Sequence, residues 1–268
     1  MQKIVITGAD GRMGRALLSA VLANPQLVLT GAVVKADSSL IGADVGELIG
    51  QGRLGIALSS DLHALLGPDT TLIDFTAPQA TLAHLAAAAQ HRASIVIGTT
   101  GFDVEQLETL AGYSDRLAMV YAGNYSVGVN LSLQLLRLAA GVMGPDSDIE
   151  ITEAHHRHKV DAPSGTALMM GEAVADALGH PLSELAVTDR AGKIGARVPG
   201  TIGFASLRGG DIVGEHTVLF AAEGERLEIT HKASSRQTFA HGALRAAQWL
   251  AQKQTPGLFN MEDVLGFR

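Results

Sequence analysis

Short, β-branched apolar runs alternating with helix-like segments constrain this chain more tightly than any single motif does. The runs are Lys3 to Thr7, Leu27 to Val34, Thr71 to Phe75, Ser94 to Gly98 and Leu117 to Ala122. Runs that are apolar throughout belong to strands covered on both faces, and the segments between them supply the covers. Arg12 to Leu22, Pro78 to Gln90 and Val104 to Leu110 carry leucine and alanine at helical spacing. Ala77-Pro78 suits a helix start, because proline at the first helical position gives up an N–H that would be unpaired anyway. The first half is therefore expected to be a parallel sheet with crossover helices.

After Asn124 the pattern changes. A long apolar helix is expected from about Val127 to Met143, then a strand from Asp148 to His156, a loop containing Asp161-Ala162-Pro163-Ser164-Gly165, and a helix running to about Leu178. Further on, Gly200 to Leu207, Ile212 to Ala221 and Arg226 to His231 read as strands separated by glycine-rich turns such as Arg208-Gly209-Gly210-Asp211. Successive strands without crossover helices predict a mixed or antiparallel sheet, so a second domain is expected over roughly 127–235. The closing helix, Arg236 to Gln252, fits either unit on its pattern alone.

Gly8-Ala9-Asp10-Gly11-Arg12-Met13-Gly14 follows the first strand and opens the first helix. In that setting Gly8 permits the tight turn, Gly11 lets backbone approach a pyrophosphate, and Gly14 allows close packing of helix on strand. The phosphates would meet the unpaired N–H groups at the helix start, so a dinucleotide is the expected ligand of this turn. The spacing G-x-x-G-x-x-G departs from the commoner G-x-G-x-x-G, and a purely structural glycine turn is the alternative. At the end of the second strand, Gly31-Ala32-Val33-Val34-Lys35-Ala36-Asp37 places no acid where a ribose 2′-hydroxyl would be held. Lys35, together with Arg12, favours a 2′-phosphate and hence NADPH. The alternatives are Asp37 holding the hydroxyl of NADH, and Lys35 as an ordinary solvated lysine. Gly98-Thr99-Thr100-Gly101 and Ala122-Gly123-Asn124-Tyr125 follow later strands at the sheet end where such folds bind ligands, or are plain strand-to-helix turns.

Composition narrows the partners. With 47% hydrophobic and 18% charged residues, the 268-residue chain is not disordered and is long enough for two cores. A formal charge of -7 argues against nucleic acid and acidic membranes as partners, since both call for a broad cationic face. Zero cysteines exclude disulfides, thiolate nucleophiles and thiolate-bound zinc, and suit a reducing compartment. Met1-Gln2-Lys3 runs straight into Ile4-Val5-Ile6 without the pattern of an export leader, and no apolar run approaches the roughly 20 residues of a membrane helix. A cytoplasmic protein with no membrane partner is expected.

In this acidic protein, Glu153-Ala154-His155-His156-Arg157-His158-Lys159-Val160-Asp161 gathers histidines and permanent cations at one strand end. Strand alternation would put His155, Arg157 and Lys159 on one face, unless the strand frays near Arg157. A metal site lacks the H-E-x-x-H spacing and would be repelled by the adjacent Arg and Lys; no metal is assigned. A solvated cationic strand end is the plain alternative. The richer reading is an anion site in which one or two groups also exchange protons, since histidine titrates near neutrality and neighbouring cations tune lysine downward. Just downstream, Pro163-Ser164-Gly165-Thr166-Ala167 opens a helix whose amides form a carboxylate cradle, unless Ser164 or Thr166 serves only as a cap.

The run Glu153 to Ala167 closely resembles the signature of bacterial 4-hydroxy-tetrahydrodipicolinate reductases, the dihydrodipicolinate reductase family of lysine and diaminopimelate biosynthesis. Gly8 to Gly14, Asp74-Phe75-Thr76, Gly98 to Phe102, Asn124 to Asn130, Val198 to Phe204 and Gly214-Glu215-His216-Thr217 match the family in order and nearly in spacing. The resemblance implies an α/β chain with a Rossmann-like dinucleotide domain at 1–126, completed by 236–268, and a central α+β domain at 127–235 with a mixed open sheet that binds substrate and mediates assembly into a homotetramer. It implies reduction of hydroxy-tetrahydrodipicolinate, a small dicarboxylate, to tetrahydrodipicolinate with loss of water, using NADPH or NADH. By resemblance, His155 and Lys159 serve in proton donation, His156 contacts substrate, and Gly165 and Thr166 hold a substrate carboxylate. On the same resemblance Gly8, Ala9, Asp10, Gly11, Arg12, Met13, Gly98, Thr99, Thr100, Ala122, Gly123, Asn124 and Tyr125 would line the cofactor, and on the residue reading above Lys35 would join them. One departure matters: many relatives carry an acid where Val34 stands, followed by Arg where Lys35 stands, so NADPH is the expected preference.

Overall fold

A computed structural model describes residues 1–253 and 255–267; Gln254 and Arg268, both in the stretch 236–268 grouped with the first domain, lie outside the described residues. The chain divides into two compact units, Met1–Val127 with Arg236–Arg268, and Gly128–Ser235.

In the first unit, the described residues form a sheet of β1 (Gln2–Thr7), β2 (Leu27–Val33), β3 (Leu58–Ser59), β4 (Thr70–Asp74), β5 (Ser94–Ile97), β6 (Ala118–Tyr121) and β12 (Gly257–Phe259). Their order is β12-β6-β5-β4-β1-β2-β3, and neighbours are parallel throughout. The order reverses beside β1, which makes the end of that strand a topological switch point, the place where open α/β sheets bind ligands. The reason for burial on both faces is visible in β1: Ile4 and Ile6 join a core with Leu17 and Leu18 of α1 (Arg12–Leu22) and Ala243 and Leu244 of α8 (Gln237–Leu250). Val5 points the other way, into a core with Leu85 and Ala88 of α3 (Pro78–His91) and Leu110 of α4 (Val104–Ala111). Pro78 sits in the first turn of α3, and Arg92 ends it in the left-handed region at φ 57°. An Asp103–Gln106 capping box starts α4.

Short elements complete this unit: α2 (Val45–Leu48), capped by Asp44, and α9 (Met261–Leu265), capped by Asn260. Neither these nor β3 and β12 follow from periodicity, because runs of two to five residues are too brief to show one.

The second unit holds α5 (Val127–Met143, its first residue at the boundary), β7 (Asp148–His155), α6 (Gly165–Leu178), α7 (Leu182–Leu185), β8 (Ala186–Val187), β9 (Ile202–Arg208), β10 (Gly214–Ala222) and β11 (Glu225–Ala233). The sheet is mixed, in the order β11-β10-β7-β9-β8: β10 is antiparallel to both neighbours, while β7, β9 and β8 run parallel. Ile149, Ile151, Val218 and Phe220 of the sheet pack on Leu133 and Leu136 of α5 and Met170 and Val174 of α6. Strand β7 stops at His155, one residue earlier than the pattern predicts, so only His155 of the cationic segment is held by strand alternation.

One expectation is corrected. The segment Val127–Asp146, 20 residues at mean hydropathy 1.3, is long and apolar enough by length and composition to cross a membrane. Counting uninterrupted apolar runs misses it because Asn130, Gln134 and Arg137 break the run. Its apolar content has a use within the fold, since Leu133, Leu136, Ala139 and Ala140 lie in the core of the second unit.

Candidate active site

The glycine turn has the geometry a pyrophosphate cradle requires. Gly8 stands at φ +62°, a conformation open to glycine, and its carbonyl accepts from the N–H of Gly11 at 3.0 Å. A Cβ on Gly14 would lie 2.1 Å from the Gly8 oxygen and 2.7 Å from the Ala9 Cα, so only glycine lets α1 press against the turn. Gly11 is the N-cap of α1 with no side-chain cap, which leaves the helix start open to a ligand's oxygens. Two adjoining hollows share Met13, Phe75 and Phe239. One, of about 290 Å³, is lined by the glycine turn and Arg236; the other, of about 230 Å³, reaches Gly123, Asn124 and Tyr125.

The structure thus brings the glycine turn and the Gly123–Tyr125 segment to one groove. Arg236 and Phe239, at the start of α8, belong to it too and were missed by sequence reasoning; the basic residue directly before the closing helix was the available signal. Arg12 is exposed at the opening of α1, and Lys35 is exposed just past β2. Val34 is buried, with its N–H given to the Ser59 carbonyl at 2.9 Å. Ala9 is buried as well, and its N–H is bonded to the Val33 carbonyl at 3.0 Å. Asp10 is half-buried, and its carbonyl accepts from Arg15 Nε at 3.1 Å.

At the ends of β4 and β5 a polar cluster shapes the sheet edge. Buried Asp74 accepts from the Thr76 hydroxyl at 2.6 Å and meets His84 Nδ1 at 2.8 Å. The Thr99 hydroxyl accepts from the Thr76 N–H at 2.9 Å and the Thr81 hydroxyl at 2.8 Å, so Thr99 faces inward while Thr100 is exposed. Gly98 is required here, because a Cβ would strike the Phe75 ring at 2.0 Å. The Tyr125 hydroxyl lies 2.9 Å from the Ile97 carbonyl and 3.0 Å from that of Val120, tying the Ala122–Tyr125 segment to β5 and β6. Burial pushes that phenol well above its ordinary value, so it stays a donor.

In the second unit, a buried polar cluster sits where β7 ends. His155 Nδ1 lies 2.6 Å from Glu153 Oε2, and the Arg208 guanidinium grips both oxygens of the same carboxylate at 2.7 Å each. The Ser164 N–H donates to Glu153 Oε1 at 3.2 Å. The Ser164 hydroxyl caps α6 by accepting from the Ala167 N–H at 3.1 Å, and lies 2.8 Å from His216 Nε2. The His155 and His216 rings meet edge to face, 5.1 Å apart. Burial opposes ionisation of Glu153, but donors from Arg208, Ser206 and His155 outweigh it and hold the carboxyl at about 2. Burial also depresses His155, against the pull of Glu153, and depresses His216 to about 4, leaving His216 neutral.

The remaining predicted residues lie around this cluster. Lys159, on the loop after β7, is held by both oxygens of Asp161 at 2.7 and 2.8 Å, a contact that pulls the Asp161 carboxyl down. Its charge is felt at His155, so the two lie in one electrostatic neighbourhood. His156 is half-buried, and its Nδ1 is shielded with no hydrogen-bond partner among the described residues. Gly165 is exposed and Thr166 half-buried in the first turn of α6. Ser164 is therefore a cap, as the plainer reading had it, and also the link from α6 to Glu153. Sequence reasoning missed the roles of Glu153, Arg208 and His216; the first and last stood inside matched motifs.

Comparison with known proteins matches the chain in two pieces. The model described as "Dihydrodipicolinate reductase, N-terminus" covers residues 2–125, and that described as "Dihydrodipicolinate reductase, C-terminus" covers residues 128–265. The chain is 56% identical over 269 residues to the 4-hydroxy-tetrahydrodipicolinate reductase of Chromohalobacter salexigens, covering 100% of each. It is 57% identical over 266 residues to that of Pseudomonas fluorescens, covering 99% of each. Among solved structures, dipicolinate-bound dihydrodipicolinate reductase from Paenisporosarcina sp. TG-14 superposes with a TM-score of 0.74 at 26% identity over 97% of each chain. An amine dehydrogenase from Mycobacterium smegmatis shares the fold with a TM-score of 0.65 at 13% identity, covering 97% of this chain and 95% of its own.

Proposed function

The chain belongs to the dihydrodipicolinate reductase family, and from that premise we infer that it is an NAD(P)H-dependent oxidoreductase of lysine and diaminopimelate biosynthesis, reducing 4-hydroxy-tetrahydrodipicolinate to tetrahydrodipicolinate with loss of water. The observation that carries the reading beyond family membership is the junction at Glu153, where a proton-handling histidine and the start of an anion-binding helix are held by one carboxylate.

The groove from Gly8 to Tyr125 fits a dinucleotide: the start of α1 has no side-chain cap, and Gly14 lets the helix press against the turn. A bound nicotinamide supplies the hydride, and the protein's own residues do the rest. Hydride addition to a conjugated imine leaves an electron-rich carbon that must gain a proton, and His155 and Lys159 are the groups for it. The conjugated imine arises as water leaves the hydroxylated carbon, before hydride is added, so the products are tetrahydrodipicolinate, oxidised cofactor and water. The N–H groups opening α6 at Gly165 and Thr166 hold one substrate carboxylate, and His156 meets the substrate beside it. The dipicolinate bound by the Paenisporosarcina relative supports a small dicarboxylate as ligand.

NADPH is preferred. Val34 offers no carboxylate to a ribose hydroxyl, whereas the exposed cations Arg12 and Lys35 suit a 2′-phosphate. One charge-assisted contact of about 1.4 kcal/mol gives about tenfold, so kcat/KM for NADPH should exceed that for NADH by about that factor. The assay follows cofactor absorbance after addition of freshly generated hydroxy-tetrahydrodipicolinate. No oxidation of either cofactor would sink the activity, and a clear NADH advantage would sink only the preference.

The enzyme works as a cytoplasmic homotetramer assembled through the second unit. Support comes from β11, a nine-residue edge strand with exposed positions, and from exposed Leu207 on β9, surfaces that a lone subunit leaves open. Sedimentation should give four times the 27.8 kDa subunit mass, and a monomer at micromolar concentration would refute the assembly. Cell fractionation checks the compartment.

A further inference from the structure

We propose that Glu153, clamped by Arg208, is the positioning residue of the acid–base site, fixing the tautomer and orientation of His155 while anchoring the first turn of α6. The proposal rests on the reading that His155 handles the substrate proton and that Gly165 and Thr166 hold a substrate carboxylate.

An ionised carboxylate accepts about four hydrogen bonds and donates none. Glu153 is engaged by His155 Nδ1 and Arg208 Nη1 at Oε2, by Arg208 Nη2 and the Ser164 N–H at Oε1, and by the Ser206 side chain. An acceptor saturated in this way forces His155 to carry its proton on Nδ1, which commits Nε2 to exchange with substrate. Gly214 keeps room at that nitrogen, since a Cβ there would lie 3.1 Å from Nε2. Arg208 is held in turn by the Asp161 carbonyl at 2.6 Å, and its two-pronged grip leaves the carboxylate one orientation. The sheet register puts these groups together, with His155 opposite Arg208 and Glu153 opposite both Ser206 and His216. The oxygen that does not meet His155 holds Ser164, so the distance between the proton-handling ring and the α6 cradle is set across one side chain.

The groups facing His155 are Glu153 on its own strand, Arg208 on β9, neutral His216 on β10, with His231 beyond it on β11, and Lys159 on the following loop. Only Glu153 among them is anionic. Glu153→Gln therefore removes the anion in contact with the ring, leaving Arg208 beside it while Lys159 stays paired with Asp161, and lowers the ring's affinity for a proton. Donation from Nε2 requires the imidazolium, because the Nδ1 proton is committed. The limb on which kcat/KM falls with rising pH must then move to lower pH in Glu153→Gln.

The test joins kinetics to nitrogen NMR on histidine-labelled protein, with the His155 signals identified by their loss in His155→Ala. Wild type should show the neutral ring protonated at Nδ1. Glu153→Gln should lose that bias, drop kcat at least about tenfold, shift the limb to lower pH and leave NADPH affinity unchanged. In a His155→Ala background the same change should have little further effect on kcat. Wild-type turnover in His155→Ala overturns the assigned role of His155. A slow His155→Ala beside a Glu153→Gln with wild-type rate and pH limb overturns the positioning role alone. A wild-type ring protonated at Nε2 overturns it even if Glu153→Gln does not fold.

Discussion

His155→Ala should lower kcat by about 10²–10⁴-fold, the contribution of a positioned proton-transfer group, while NADPH binding in the first unit is left intact. Lys159→Ala should act in the same direction and range, because the ammonium sits in the same electrostatic neighbourhood as His155. The two losses should not add: a pair serving one proton transfer fails as a unit, so the double variant should be little slower than the worse single one. Steady-state kinetics with both substrates varied reads this directly. Wild-type kcat in both variants would remove the pair from the chemistry.

The second large effect is expected far from any titrating group. Gly14→Ala adds one methyl group, which would stand 2.1 Å from the Gly8 oxygen and 2.7 Å from the Ala9 Cα. Both are backbone atoms in a turn already at positive φ, so no rotamer relieves the contact and α1 must move off β1. Overpacking of this kind costs about 1–3 kcal/mol, and the displaced turn no longer presents its N–H groups to the pyrophosphate. The variant should melt several degrees lower and bind NADPH at least about tenfold more weakly, as read by calorimetry and fluorescence titration. An unchanged Kd would show that the turn is structural only.

These residues also mark how much could be read from sequence. The glycine turn was legible because its role is local: strand, turn and helix follow one another, and Gly14 meets atoms only five and six residues away. The parallel sheet was legible because strands buried on both faces are apolar throughout, and the mixed sheet because its strands follow one another without crossover helices. Arg208 was read only as part of a turn. Its partnership with Glu153, 55 residues distant, exists because β7 and β9 pair in one particular register, which no local pattern encodes. Arg236 and Phe239 join the groove beside the glycine turn for the same reason, through the return of the chain to the first unit. The cationic segment was legible as chemistry but not as geometry: β7 ends at His155, and Lys159 is tethered to Asp161 instead of extending the strand face. The apolar length of Val127–Asp146 was hidden by polar residues spaced along the helix.

The central claim is that this chain moves a hydride from a nicotinamide to a ring carbon of its dicarboxylate substrate while its own side chains deliver the accompanying proton. Mass spectrometry of the tetrahydrodipicolinate formed with NADPH deuterated at both C4 positions tests it most directly. The product should be one mass unit heavier than that formed with unlabelled NADPH in the same buffer, and a product of unchanged mass would contradict direct hydride transfer.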